Sequence, residues 1–116
     1  MENGLKSLKL EDARKIKENL ENAYILLMPE SFREKHYPDM IKEQRWEKRL
    51  EQIGNKKLQI IRDQMIFYLG KLPEILIENS KIFEYAFEED ESILVKISAA
   101  TVIINHDLNF DIEKNI

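Results

Sequence analysis

The sequence predicts an all-α fold of about five helices, packed as a compact bundle or a helical-hairpin array. Apolar residues recur at steps of three and four over most of the chain, the period of a helix with one buried face. The three prolines and three glycines punctuate those stretches. The most strand-like run, Ala100–Ile104, has no second strand candidate to pair with, so helix is the reading there too. At 116 residues the chain reads as a single domain, 1–116, since domains commonly run to roughly 100–150 residues.

Ala13, Ile16, Leu20, Ala23, Tyr24, Leu27 and Met28 share one face of a first helix over about 9–28, and Pro29 marks its end. Glu30–Pro38 reads as a short aromatic loop that Phe32 and Tyr37 anchor to the core. Asp39 can cap a second helix, whose weaker apolar face is Met40, Ile41, Trp46, Leu50 and Ile53. Gly54-Asn55 is a stop, because both residues tolerate the left-handed conformation. Leu58, Ile61, Met65, Tyr68, Leu69 and Leu72 make a third helix that ends at Pro73. A fourth runs from Pro73 to about Phe87 on Leu76, Ile82, Phe83, Ala86 and Phe87. The acidic turn Glu88-Glu89-Asp90-Glu91 closes it, and Ser92 or Asp90 caps a fifth helix through about Asn105. That fifth helix is apolar nearly all round, so it is expected to be the central, buried one. The tail from Asp107 either starts another helix at Asp111 or frays.

Composition narrows the function. Hydrophobic residues at 43% and charged residues at 34% describe a chain too apolar to stay disordered. With no cysteine, a disulfide scaffold, an iron–sulfur cluster and a thiolate zinc site are excluded. No apolar run approaches the ~20 residues that span a bilayer. The polar opening Met1–Lys6 is followed by no apolar region, so no secretory signal and a cytoplasmic location are expected. The richness in Ile, Lys, Asn and Glu suggests an AT-rich bacterial or phage genome. The net charge of −4 is uneven. Residues 1–70 carry 14 basic and 12 acidic side chains, whereas residues 71–116 carry 4 basic and 10 acidic.

The stretch from about Leu72 to Asn105 resembles one HEAT-type helical hairpin. The resemblance rests on Asp90 in the turn, Val95-Lys96 early in the second helix and the small pair Ala99-Ala100 one turn on. The turn acid can cap the second helix or contact the basic side chain, and the alanines allow two helices to cross closely. The family usually has Arg where Lys96 stands, and often a proline in the turn that this chain lacks. The resemblance implies binding of another protein rather than chemistry. Stacks of this kind usually need at least three units, so the first three helices would supply the rest of the core.

Catalytic candidates are thin. His36 and His106 lie far apart in sequence, outside any two-histidine metal spacing. His36 reads as an exposed loop residue and His106 as a helix C-terminal residue favoured by the dipole. Ser98 reads as a small core residue. Glycines at 4, 54 and 70 cannot form a phosphate loop. Asp107, Asn109 and Asp111 match the opening of a calcium loop, but Ile112 stands where the loop needs Gly. No metal, cofactor or enzymatic activity is therefore expected. The leading expectation is a protein-binding module of inhibitor, immunity or adaptor type. It would dock an acidic helical surface (Glu84, Glu88, Glu89, Asp90 and Glu91) onto a basic protein partner, with Trp46 as a second contact. The Trp46 helix and its flanking aromatics offer a partner-facing patch and leave a homodimer open. The alternative is a small dimeric regulator that contacts nucleic acid through the basic segment 33–62, where nine basic residues face five acids. The acidic balance of the whole chain speaks against it.

Overall fold

Helix α1 (Leu10–Leu27) ends where Pro29 begins α2 (Glu30–His36); α3 (Gln44–Ile53) and α4 (Asn55–Leu69) follow, separated only by Gly54. Then come α5 (Glu74–Ile77), α6 (Ile82–Glu89) and α7 (Ile93–Asn105). The computed structural model describes residues 9–40 and 44–108, and every regular element among them is helical. Parts of the second-helix start at Ile41 and of the calcium-like segment, Asn109 and Asp111, lie outside the described residues.

All three prolines sit at helix edges. Pro29 and Pro73 are the N-cap residues of α2 and α5, where a missing amide donor costs nothing. Gly54 has φ 90°, a conformation that penalises any residue with a Cβ. Ser92 caps α7, with Val95 N donating to its Oγ at 3.4 Å. At the other end of α7, Asp107 takes φ 49°. Its N–H and that of Leu108 donate to the carbonyls of Ile104 and Ile103 at 3.2 and 3.0 Å, which closes the helix as a Schellman motif.

Seven helices replace the expected five, for two reasons. The expected aromatic loop is helical as α2. The expected fourth helix breaks at residues 78–81. Leu76, Ile77, Ile82 and Phe83 are all buried, yet on one continuous helix Ile77 and Ile82 would point about 140° apart. The break lets both halves face inward. Ser80 stabilises it, accepting from Ile82 N and donating to Glu21 Oε2.

The core is made of Tyr24, Ile66, Leu69, Leu72, Ile77, Ile82, Phe83 and Val95, all fully buried, each stabilising the fold by roughly 1.5–3 kcal/mol for a fully buried aliphatic or aromatic side chain. Helix α7 packs against α4 on one side and α6 on the other. The expectation that it is buried all round is corrected. Val95, Ala99, Val102 and Ile103 face the core, while Ile93, Leu94, Ile97 and Ile104 are exposed. A helix on the outside of the bundle has only as many buried faces as it has neighbours.

Gly70, the C-cap of α4, lies tight against α7. A Cβ there would lie 2.5 Å from Val102 Cγ2 and 3.3 Å from its Cγ1. Valine is stiff at χ1 and cannot swing away. Gly70→Ala is therefore expected to lower stability by about 1–3 kcal/mol. Urea denaturation checks this, and adding Val102→Ala should make the cost of the alanine at 70 smaller than it is alone.

Candidate functional site

The acidic turn does not present its carboxylates as one surface. Asp90 follows α6 in an extended conformation and turns its side chain into the core, where it is fully buried. Its Oδ2 accepts from Arg62 Nε at 2.9 Å and from Tyr24 Oη at 2.8 Å. Its Oδ1 accepts from Arg62 Nη2 at 3.0 Å and from the Ser92 amide at 2.9 Å. This joins α1, α4 and the α6–α7 turn at one carboxylate. Burial, then the Asp90 charge and its hydrogen bond, push the Tyr24 phenol far above its ordinary range. Asp90 is thus removed from the expected docking surface, because a saturated, buried ion pair has nothing to offer a partner. Its charged partner is Arg62 and not Lys96. Lys96 Nζ instead donates to the carbonyls of Phe87 and Glu88 at 3.0 and 3.1 Å, closing the C-terminus of α6.

Glu89 is half-buried and engaged by α2. Lys35 Nζ lies 3.1 Å from its Oε1 and His36 Nε2 lies 2.5 Å from its Oε2. His36 is no exposed loop residue: its ring stacks on Tyr85 with centroids 4.1 Å apart. Phe32 and Tyr37 complete that aromatic cluster, which holds α2 against α6. Burial foremost, then the influence of Tyr85 and Glu21, pushes Tyr37 up to about 12. Glu84 pairs at 3.3 Å with Lys81, the N-cap residue of its helix, and lies beside Phe83, Ile103 and Leu108. Glu91 points elsewhere, toward α1, α3 and α4. His106 ends α7 as expected, with Nε2 2.9 Å from the Gly70 carbonyl oxygen. Ser98 is half-buried and hydrogen-bonds to Asp63.

The basic segment is also partly spent on structure. Arg33 and Arg62 are 4% and 5% exposed; Arg33 Nη1 donates to the Met28 carbonyl at 2.6 Å. Arg45, Lys48, Arg49, Lys56 and Lys57 remain on the surface. Trp46 is exposed among Arg45 and Arg49, with the Arg45 guanidinium 5.9 Å from its ring centroid.

The feature that sequence reasoning missed is a cleft of about 410 Å³ between the α1–α2 corner and the α3–α4 hairpin. Glu30, Glu47, Glu51 and Glu91 line it together with the two buried arginines and apolar Leu27, Leu50 and Leu58. All four glutamates are exposed. None forms an ion pair among the described residues, whereas Arg62 is already neutralised by Asp90. Carboxylates therefore outweigh cations in the lining. Glu47 and Glu51, a like-charged i,i+4 pair that destabilises an isolated helix, were the available signal. Their convergence with Glu30 and Glu91 depends on the tertiary fold.

Among the described residues no group of three or more His, Asp or Glu side chains could hold a metal ion. No described helix is long and apolar enough to cross a membrane. The chain matches no protein-family model, no curated protein and no solved structure.

Proposed function

We propose that the protein is a non-enzymatic binding module, of inhibitor, immunity or adaptor type, acting in a bacterial or phage-infected cytoplasm. It receives a basic segment of a partner protein in the glutamate-lined cleft. The observation that carries this reading is the meeting of four exposed, unpaired carboxylates from α2, α3 and the α6–α7 turn on one concavity. A solvated face spreads like charges apart; here they converge, with leucines between them to pack the aliphatic stem of a lysine or arginine. Such a cleft speeds the encounter with a cationic partner and makes it salt-sensitive. Of the acidic residues in the turn, Glu91 contributes to this cleft and Asp90 does not.

A triple variant, Glu47→Lys with Glu51→Lys and Glu91→Lys, tests it. All three side chains are exposed, so the fold should survive with little loss. Quantitative affinity capture at about 50 mM salt should recover a protein partner with the natural chain and lose it with the variant, and about 200 mM salt should weaken the capture of the natural chain. Equal recovery by both proteins would remove the cleft from the mechanism. A shift of mixed-sequence DNA that disappears on reversing Arg45, Lys48 and Arg49 would instead select the nucleic-acid reading.

A further inference from the structure

We propose that the partner segment is an extended run of about four consecutive basic residues, laid between α2 and α3 with its side chains alternating between the two helices. This rests on the reading that the cleft takes a basic segment, and adds the conformation and spacing of that segment.

The cleft does not end at Glu30 and Glu47. A second concavity of about 230 Å³ adjoins it and shares Glu30, Arg33 and Glu47 with it. Glu34 extends the line of carboxylates there, beside Tyr37, Pro38 and Met40. The two concavities form one groove, with α2 as one wall and α3 as the other. Each wall carries two glutamates about one turn apart: Glu30 and Glu34 on α2, Glu47 and Glu51 on α3. All four are exposed, and none forms an ion pair among the described residues.

This spacing selects the conformation of the ligand. The two carboxylates of each wall are about 6 Å apart along the helix axis. In an extended chain successive side chains point to opposite sides, and every second one returns after about 6.6 Å. Four consecutive lysines or arginines therefore set two cations against α2 and two against α3, in step with both pairs. A helix offers no such match, because lysines one turn apart on it share a single face and serve one wall.

Arg33 is an independent sign of an extended backbone. It is 4% exposed and lines both concavities. Among the described residues it has no ion pair, and its one hydrogen bond runs from Nη1 to the Met28 carbonyl. A guanidinium has five N–H donors, so Nε and Nη2 stand at the groove without an acceptor. An extended segment brings free carbonyl oxygens to them, whereas a helix spends its carbonyls on its own ladder. The single charge of Arg33 is outnumbered by the four carboxylates, so the groove still attracts cations.

Isothermal titration calorimetry at about 50 mM salt, where charge is weakly screened, tests this with three peptides of equal charge. The first holds four consecutive lysines between serines. The second holds four lysines separated by pairs of serines, and the third is an alanine-rich helix with four lysines one turn apart. The consecutive run should bind about tenfold more tightly than either of the others, the gain expected from two further ion pairs. Glu34→Gln, at an exposed position outside the first concavity, should weaken the consecutive run by about threefold. Equal affinity of the three peptides, or tighter binding of the helix, would overturn the extended register and leave the cleft as a general acceptor of basic segments. Unchanged affinity in the Glu34→Gln protein would confine the ligand to the first concavity and overturn the groove. No binding of any peptide at about 1 mM, the weak limit of specific recognition, would remove the cleft reading together with this one.

Discussion

Asp90→Ala is expected to lower stability by about 3–5 kcal/mol, because removing one partner of a buried pair strands the other charge. Arg62, at 5% exposure, would keep its guanidinium in the core with no counter-charge. The Tyr24 hydroxyl and the Ser92 amide would lose their acceptor in the same step. A domain of this size is held by roughly 5–15 kcal/mol in total, so the variant should melt far below the natural chain and could unfold outright at 37 °C. The energy does not reside in the ion pair as such. Replacing both charges together, Asp90→Leu with Arg62→Met, should cost less than Asp90→Ala alone, since no buried charge is then left unpaired. The double variant should still fall short of the natural chain, with Tyr24 Oη and the start of α7 left unsatisfied. Chemical denaturation of the two variants distinguishes these cases. A cost below about 1 kcal/mol for Asp90→Ala, the range of an exposed pair, would contradict the geometry described for it.

The residues that organise this fold differ in how far they announce themselves. Pro29, Pro73 and Gly54 act through their own backbone, so the helix edges they mark are legible from the chain alone. The same holds for α1, whose stripe from Ala13 to Met28 has one buried side. In α7 the local signal fails. A helix apolar on every side does not say which faces are covered, because that depends on what the remaining helices can reach. Helices α2 and α5 are too short to show a period and exist through tertiary contacts, such as Phe32 and His36 against Tyr85. Asp90 was visible as a turn acid, yet its neighbours Glu88, Glu89 and Glu91 carry the same charge. The hairpin resemblance singles it out as the turn acid, but points to Lys96 as the basic side chain it could contact, whereas its charged partner is Arg62. Its partner Arg62 stands 28 residues away among interleaved charges, where no spacing rule reaches. The cleft glutamates share that difficulty, coming from three separate parts of the chain.

The Asp90 cluster also predicts a steep loss of stability in alkali, with Tyr24 as its source. Burial first, then the Asp90 charge and hydrogen bond, hold the phenolic proton far more tightly in the folded protein than in the unfolded chain, where the value is 10.0. Below that value both states keep the proton, and the contribution of Tyr24 is present in full. As the pH rises past it, the unfolded chain releases the proton while the folded protein retains it. Stability then falls by about 1.4 kcal/mol for each pH unit. Tyr37 adds a smaller and shorter-lived loss, since its value is raised only to about 12 and its side chain is half-exposed. Tyr24→Phe isolates the effect. At neutral pH the variant should be less stable by about 1.5–3 kcal/mol, the range for a hydrogen bond to a charged group. Between pH 10 and about 12 its stability should decline less steeply than that of the natural chain, so the two curves converge. Urea midpoints measured at intervals across that range give both slopes. Parallel curves would mean that the Tyr24 proton is bound equally in both states, which a phenol buried against a carboxylate does not permit.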